Sequence, residues 1–154
     1  MPIDATIAPL ATCANIHIQS KKRLIETLAH TFEQAYEGID KNTLFDKLVE
    51  RERLGSTGIG SGIAIPHCRF DTQGRTLCAC LTLDEPIDYD AHDNKPVEVV
   101  FAMLVPLDAN DAHLENLAQI AATMSNADNI ALFKKANGDE SLHQALSHVE
   151  PPLI

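Results

Sequence analysis

Residues 97–105 read VEVVFAMLV, with eight apolar side chains in nine positions. A run that short and that apolar is a strand at the centre of a sheet, and a strand buried this way has to be covered by other elements. Two further runs supply neighbours. TLCACLTL (76–83) reads as a second strand, and GIAIPH (62–67) as a short buried strand ending at Pro66. ANIHIQ (14–19) alternates apolar and polar residues, as a half-buried strand does. Between 83 and 97 lies an acidic, turn-rich connector, DEPIDYDAHDNKP, with room for a brief edge strand.

The other segments have helical spacing. Ser20 reads as an N-cap, Leu24, Ile25, Leu28, Ala29 and Phe32 form one stripe, and Gly38 ends the segment. A second helix begins at Asp40 or Asn42 and carries Leu44, Phe45, Leu48 and Val49 on one face. Arg51, Glu52 and Arg53 lie in its last turns, and Gly55 is its stop. After Pro106, Asp108 or Asp111 caps a helix that buries Leu114, Leu117, Ala121 and Met124. Asp128 starts a short helix through Leu132 and Phe133, stopped by Gly138. Asp139 caps a last one with Leu142, Ala145, Leu146 and Val149, and Pro151 and Pro152 forbid its continuation. The order is strand, two helices, several strands, three helices. It predicts an α/β fold: one mixed β-sheet flanked by helices, in a single domain over residues 1–154.

Charge narrows the partners. The formal net charge is −10, which disfavours nucleic acid and anionic membranes and favours a basic protein surface. No apolar run approaches the length of a membrane span, and no basic segment precedes an apolar leader, so a cytoplasmic protein is expected. The four cysteines, Cys13, Cys68, Cys78 and Cys80, form no CxxC pair and adjoin no histidine cluster. Neither a metal site nor a cofactor is expected, and all four thiols are read as reduced. Cys78 and Cys80 fall on one face of their strand.

The chemistry concentrates in LGSTGIGSGIAIPHC (54–68), where four glycines fall within eight residues. Glycine supplies positive φ in turns, and small residues also let backbone N–H groups approach a phosphate. Gly55 and Gly60 have P-loop spacing, but Ser61 follows instead of Lys, and the loop succeeds a helix rather than a strand. Gly58-x-Gly60-x-Gly62 follows a helix too, unlike a dinucleotide fingerprint. Cys68 adjoins His67, yet neighbours on an extended chain point to opposite faces and are poorly placed to act as a pair. What remains is His67 behind a loop of backbone donors. A neutral imidazole nitrogen is a good phosphoryl acceptor near pH 7. Residue chemistry alone leaves His67 open between that role and an ordinary loop histidine.

The segment RERLGSTGIGSGIAIPH (51–67) resembles the phosphoacceptor segment of the fructose/mannitol-type IIA proteins of the bacterial phosphotransferase system. Its GSTGIG form looks most like the nitrogen-regulatory branch, and LDEPIDYDAHDNKPVEVVFAMLVP and HLENLAQIA are similar to that branch as well. The resemblance covers nearly the whole chain. It implies a sandwich of mixed sheet and helices. It further implies that His67 takes a phosphoryl group on Nε2 from a histidine phosphocarrier protein. Arg51 would lie beside the phosphate, with Arg53 a weaker candidate, and His113 would orient His67 or donate to the phosphate. The loop would be a phosphate cradle built from Thr57, Gly58, Gly60, Ser61 and Gly62. The implied output is contact with regulatory protein targets, of the sensor-kinase or ion-transport kind, that report nitrogen or carbon status. A sugar-transport IIA that hands phosphate to a permease IIB domain is the rival within the same chemistry. No IIB or membrane domain follows residue 154, an expectation that favours regulation. An interaction module without phosphotransfer is the rival outside it, and the presence of both Arg51 and His67 argues against that one. Three departures stand out: Cys68 and Arg69 replace a common Gly and Lys, and Ser61 a frequent Asn. His17, His30, His92, His143 and His148 match no motif and are expected at the surface.

Overall fold

The computed structural model describes residues 6–149. Eleven elements follow one another: β1 (Thr6–Ile16), α1 (Lys21–Ala35), α2 (Lys41–Leu54), β2 (Gly58–Gly60), β3 (Ile63–Ala64), β4 (His67–Phe70), β5 (Leu77–Ile87), β6 (Val97–Pro106), α3 (Asp111–Met124), α4 (Ala127–Lys135) and α5 (Asp139–Ser147). The six strands form one mixed sheet in the order β1-β5-β6-β3-β2, with β4 continuing beside β6 beyond β3. β6 is the central strand. It pairs antiparallel with β5 and parallel with β3 and β4.

The apolar run that suggested a central strand is buried on both faces because two helical layers cover it. Val100, Ala102 and Leu104 face a cluster with Leu24, Leu28, Phe32, Leu44 and Leu48 of α1 and α2. Val99, Phe101 and Met103 face a second cluster with Ile120, Phe133, Leu142 and Leu146 of α3, α4 and α5. The two-residue period of the strand is what divides the core. Cys78 and Cys80 share the second face, as their spacing predicts, and all four cysteines are free thiols.

Several boundaries differ from expectation, each for a local reason. The first strand covers Thr6–Ile16 rather than 14–19, because its partner is β5 in parallel register from Thr6↔Leu77 to Ile16↔Leu83. GIAIPH is not one strand. It splits at Ile65 and Pro66, and His67 opens β4 instead of closing a strand. The expected edge strand in the connector is the end of β5, which runs on to Ile87 after a register shift.

Amides and glycine, not the acids, sit at three caps. Asn110 caps α3 in place of Asp108 or Asp111, Asn126 caps α4 in place of Asp128, and Gly138 precedes Asp139 at α5. Asp139 instead accepts the Ala14 N–H at 2.8 Å. Ser20 and Asp40 cap α1 and α2 as read, and Gly55 ends α2. Leu114 was expected in the core but is 46% exposed, and Leu132 is exposed as well. Pro151 and Pro152 lie outside the described residues.

Candidate functional site

His67 stands at the first position of β4, opposite Met103 of the central strand. The chain before it is pinned twice. The Ile65 N–H donates to the Thr57 carbonyl at 2.9 Å, and the Pro66 carbonyl accepts from Met103 N–H at 2.9 Å. Proline also holds the preceding residue extended, which brings the Ile65 carbonyl round toward the ring two residues on. There, His67 Nδ1 lies 2.8 Å from the Ile65 carbonyl oxygen. A carbonyl only accepts, so Nδ1 carries the proton and Nε2 keeps its lone pair. Burial holds the ring pKa below the ordinary imidazole value, and the Arg51 charge acts the same way against opposing contributions from the Ile65 hydrogen bond and Glu52. The ring is therefore neutral at pH 7, with its nucleophilic nitrogen defined.

A cavity of about 430 Å³ opens at His67. Arg51 and Lys47 of α2 and Arg69 of β4 supply its positive charge, against the single acid Glu50. Leu54, Val105, Leu114 and Leu117 supply apolar wall. Three cations around one histidine stand out in a chain of net charge −10, and they suit an anion that forms on the ring. Leu54 is 84% exposed, so the rim is an apolar surface open to solvent. A larger cavity, about 670 Å³, lies between α1 and α2 and shares none of these residues.

Arg51 and His67 thus line one cavity, the proximity that the family resemblance implies. Arg51 is half-buried, and its Nη1 donates to the Gly55 carbonyl at 3.0 Å, which fixes the guanidinium at the helix end and leaves its other donors uncommitted there. Arg53 is exposed and does not line the cavity. His113 does not line it either, although Leu114 and Leu117 of the same helix do. Its ring completes a capping box: Asn110 N–H donates to His113 Nδ1 at 3.2 Å, and Asn110 Oδ1 lies 3.0 Å from the same nitrogen.

The glycine loop is differently employed from the expected cradle. The Thr57 N–H and hydroxyl both donate to the Glu52 carboxylate. Gly58 N–H donates to Ser56 Oγ at 3.1 Å, and Ser61 N–H to Asp93 Oδ2 at 3.0 Å. These donors are taken by protein acceptors, so Thr57 and the amides of Gly58 and Ser61 offer a phosphate nothing in this arrangement. The glycines serve the backbone instead. A Cβ at Gly58 would fall 2.9 Å from the Ala91 backbone. Gly60 and Gly62, at φ +105° and +83°, turn β2 back onto β3.

Cys68 is 8% exposed, and burial pushes its thiol up to about 12. It borders the cavity as a protonated, weakly reactive group. Arg69, singled out only as a departure, donates to the carbonyls of Leu107 and Ala109 at 3.2 and 2.9 Å and so ties β4 to the segment before α3. Among the unmatched histidines, His143 is not simply at the surface. It is half-buried, with Nε2 3.2 Å from the Ile7 carbonyl.

Glu52, Lys47 and the Ile65 carbonyl had no assigned role in the sequence. The Arg-Glu pair at 51 and 52 was the only signal for Glu52. No helix among the described residues is long and apolar enough to cross a membrane.

A family model described as phosphoenolpyruvate-dependent sugar phosphotransferase system, EIIA 2, matches residues 10–149. A nitrogen regulatory protein of Pseudomonas aeruginosa is 40% identical over 148 residues, covering 96% of each chain. One from Escherichia coli is 35% identical over 140 residues, 90% of this chain and 85% of that one. The crystal structure of nitrogen regulatory protein IIA-Ntr from Neisseria meningitidis superposes with a TM-score of 0.79 at 33% identity, over 90% of this chain and 94% of that one.

Proposed function

Because this chain belongs to the phosphoenolpyruvate-dependent sugar phosphotransferase system EIIA 2 family, we propose that it is a cytoplasmic phosphoryl carrier whose phosphorylation state regulates nitrogen- or carbon-linked partner proteins. The donor is a histidine phosphocarrier protein. The observation that carries the reading is the hydrogen bond from His67 Nδ1–H to the Ile65 carbonyl, which presents Nε2 as an unprotonated nucleophile with no separate base required.

The step is a displacement at phosphorus. The Nε2 lone pair of His67 forms the new N–P bond, the donor's N–P bond breaks, and its electron pair returns to the donor imidazole. His67 keeps its Nδ1 proton throughout, and the positive charge that builds on the ring is eased by the Ile65 carbonyl. Arg51 stabilises the equatorial oxygens with its remaining guanidinium donors, in the fork geometry that suits phosphate. Lys47 and Arg69 add long-range attraction. A donor role for His113 requires its ring to leave the Asn110 capping box and reach the cavity. Gly60 and Gly62, with Thr57, Gly58 and Ser61, set the shape of the hairpin that backs the acceptor, and a phosphate cradle there requires the loop to exchange its present acceptors. The regulatory side of the reading is supported by the names of the Pseudomonas aeruginosa and Escherichia coli relatives, both nitrogen regulatory proteins.

The test is phosphotransfer from enzyme I and a phosphocarrier, followed by incubation with sugar-permease IIB domains. Label on this protein that is acid-labile, alkali-stable and not passed on supports the regulatory carrier. Efficient onward transfer to a IIB domain replaces it with the transport reading.

A further inference from the structure

Glu52 sits in the last turn of α2, where the helix C-terminus disfavours a carboxylate, yet its side chain is only 7% exposed. Its two oxygens are fully engaged. Lys21 Nζ of α1 lies 2.9 Å from Oε2. Thr57 N–H donates to Oε1 at 3.1 Å, the Thr57 hydroxyl donates to the same oxygen, and Tyr89 OH donates at 3.2 Å. Tyr89 is wholly buried, and Lys21 lies over its ring, 4.6 Å from the centroid. A helix, a hairpin and the acidic connector thus converge on one carboxylate.

The network ends at the acceptor. Thr57 is the residue whose carbonyl receives the Ile65 N–H, at 2.9 Å. Ile65 is the residue whose carbonyl receives His67 Nδ1–H. Three links join Glu52 to the imidazole: carboxylate to Thr57, Thr57 carbonyl to Ile65, Ile65 carbonyl to ring.

We infer that Glu52 is a positioning residue for phosphoryl acceptance: by clamping Thr57 it fixes the Ile65 carbonyl, and so holds His67 in the Nδ1–H form that leaves Nε2 reactive. Glu52 itself touches neither His67 nor an incoming phosphate. The effect on rate rests on the phosphoacceptor reading above, whereas the effect on the tautomer does not. A merely structural Glu52 would alter stability and leave the ring's proton where it is.

The experiment uses the full chain and phosphoramidate, a small phosphoryl donor that bypasses protein docking. Nε2 takes the phosphoryl group, the N–P bond of phosphoramidate breaks, and its nitrogen leaves as ammonia after taking a proton from solvent. Two-bond 1H–15N spectra read the His67 tautomer in parallel. Wild type shows only the Nδ1–H form. Glu52→Gln keeps the size of the side chain but loses the charge that holds Lys21 and the Thr57 donors. It is expected to give a mixture of tautomers and a phosphorylation rate about tenfold to a hundredfold lower, the scale of a misplaced reacting group. Where Glu52→Gln does not fold, Thr57→Val, which removes the hydroxyl bound to the carboxylate, is read the same way. A folded variant with the pure Nδ1–H form and an unchanged rate overturns the inference. Wild type that takes no phosphate overturns the phosphoacceptor reading, while the spectra still decide the part of Glu52.

Discussion

His67 Nδ1 and the carbonyl oxygen of Ile65 stand 2.8 Å apart, two residues from one another along the chain. That contact assigns the ring's proton and its nucleophile at once. It is held by Pro66, by the pairing of β4 with the central strand, and by the Thr57–Ile65 hydrogen bond.

Arg51→Ala is expected to slow phosphotransfer about tenfold to a hundredfold, the range for loss of one donor to developing charge. Stability should fall by less than about 1 kcal/mol, since only the exposed bond to the Gly55 carbonyl is lost. Arg51→Lys should recover part of the rate, because an ammonium lacks the planar fork. Stopped-flow transfer and thermal melts check both; transfer at the wild-type rate in Arg51→Ala removes the residue from the site.

Cys68→Ala should transfer phosphate normally. The thiol is buried and its pKa is raised to about 12, so it is neither a thiolate nor a proton acceptor at pH 7. A cost of about 1 kcal/mol from lost packing is expected. A folded variant without transfer would place sulfur in the mechanism.

Stability should depend on pH through His67 in a defined direction. Its folded pKa lies below the ordinary 6.5, so the unfolded chain takes up the proton first as pH falls. The contribution of the neutral ring is complete above about 6.5, the unfolded imidazole value, and declines as pH drops from there toward the folded pKa. Urea titrations of wild type and His67→Gln from pH 7.5 to 5 check this. The wild type should lose more stability than the variant over that interval, and parallel curves would show that the ring titrates normally.

The apolar rim should serve protein docking. Leu54 is 84% exposed on the wall of the His67 cavity, so Leu54→Glu should leave stability within about 0.5 kcal/mol. It should raise KM for the phosphocarrier severalfold with kcat nearly unchanged, because a charge then has to be desolvated in the interface. An unaltered KM would place the donor elsewhere.

Much of the architecture was legible because β6 obeys a single pattern. Alternate residues of an almost wholly apolar strand feed two cores, and the helical stripes on either side supply the lids. The start of β1 is not legible in the sequence because parallel pairing buries parts of both its faces, including Ala11 and Thr12, which erases the alternation a sequence displays. The caps are ambiguous in the sequence where an Asn and an Asp lie within two residues, as at Asn110 and Asp111, and only backbone geometry chooses between them. At the site, His67 and Arg51 were visible as a motif. Glu52 was not, since a glutamate in a last helical turn reads as solvated until Thr57 and Tyr89, 5 and 37 residues away, are seen to close over it. The glycines were visible, but their neighbours Ala91 and Asp93 come from the connector, and no local pattern announces that approach.

The central claim is that His67 Nε2 is the acceptor and Nδ1 keeps its proton. Long-range 1H–15N spectra of the protein phosphorylated by its phosphocarrier test it directly. One phosphohistidine is predicted, at His67, with phosphorus coupled to Nε2 and the Nδ1–H signal retained, and none in His67→Ala. Phosphorus on Nδ1, or label that persists in His67→Ala, would contradict the account.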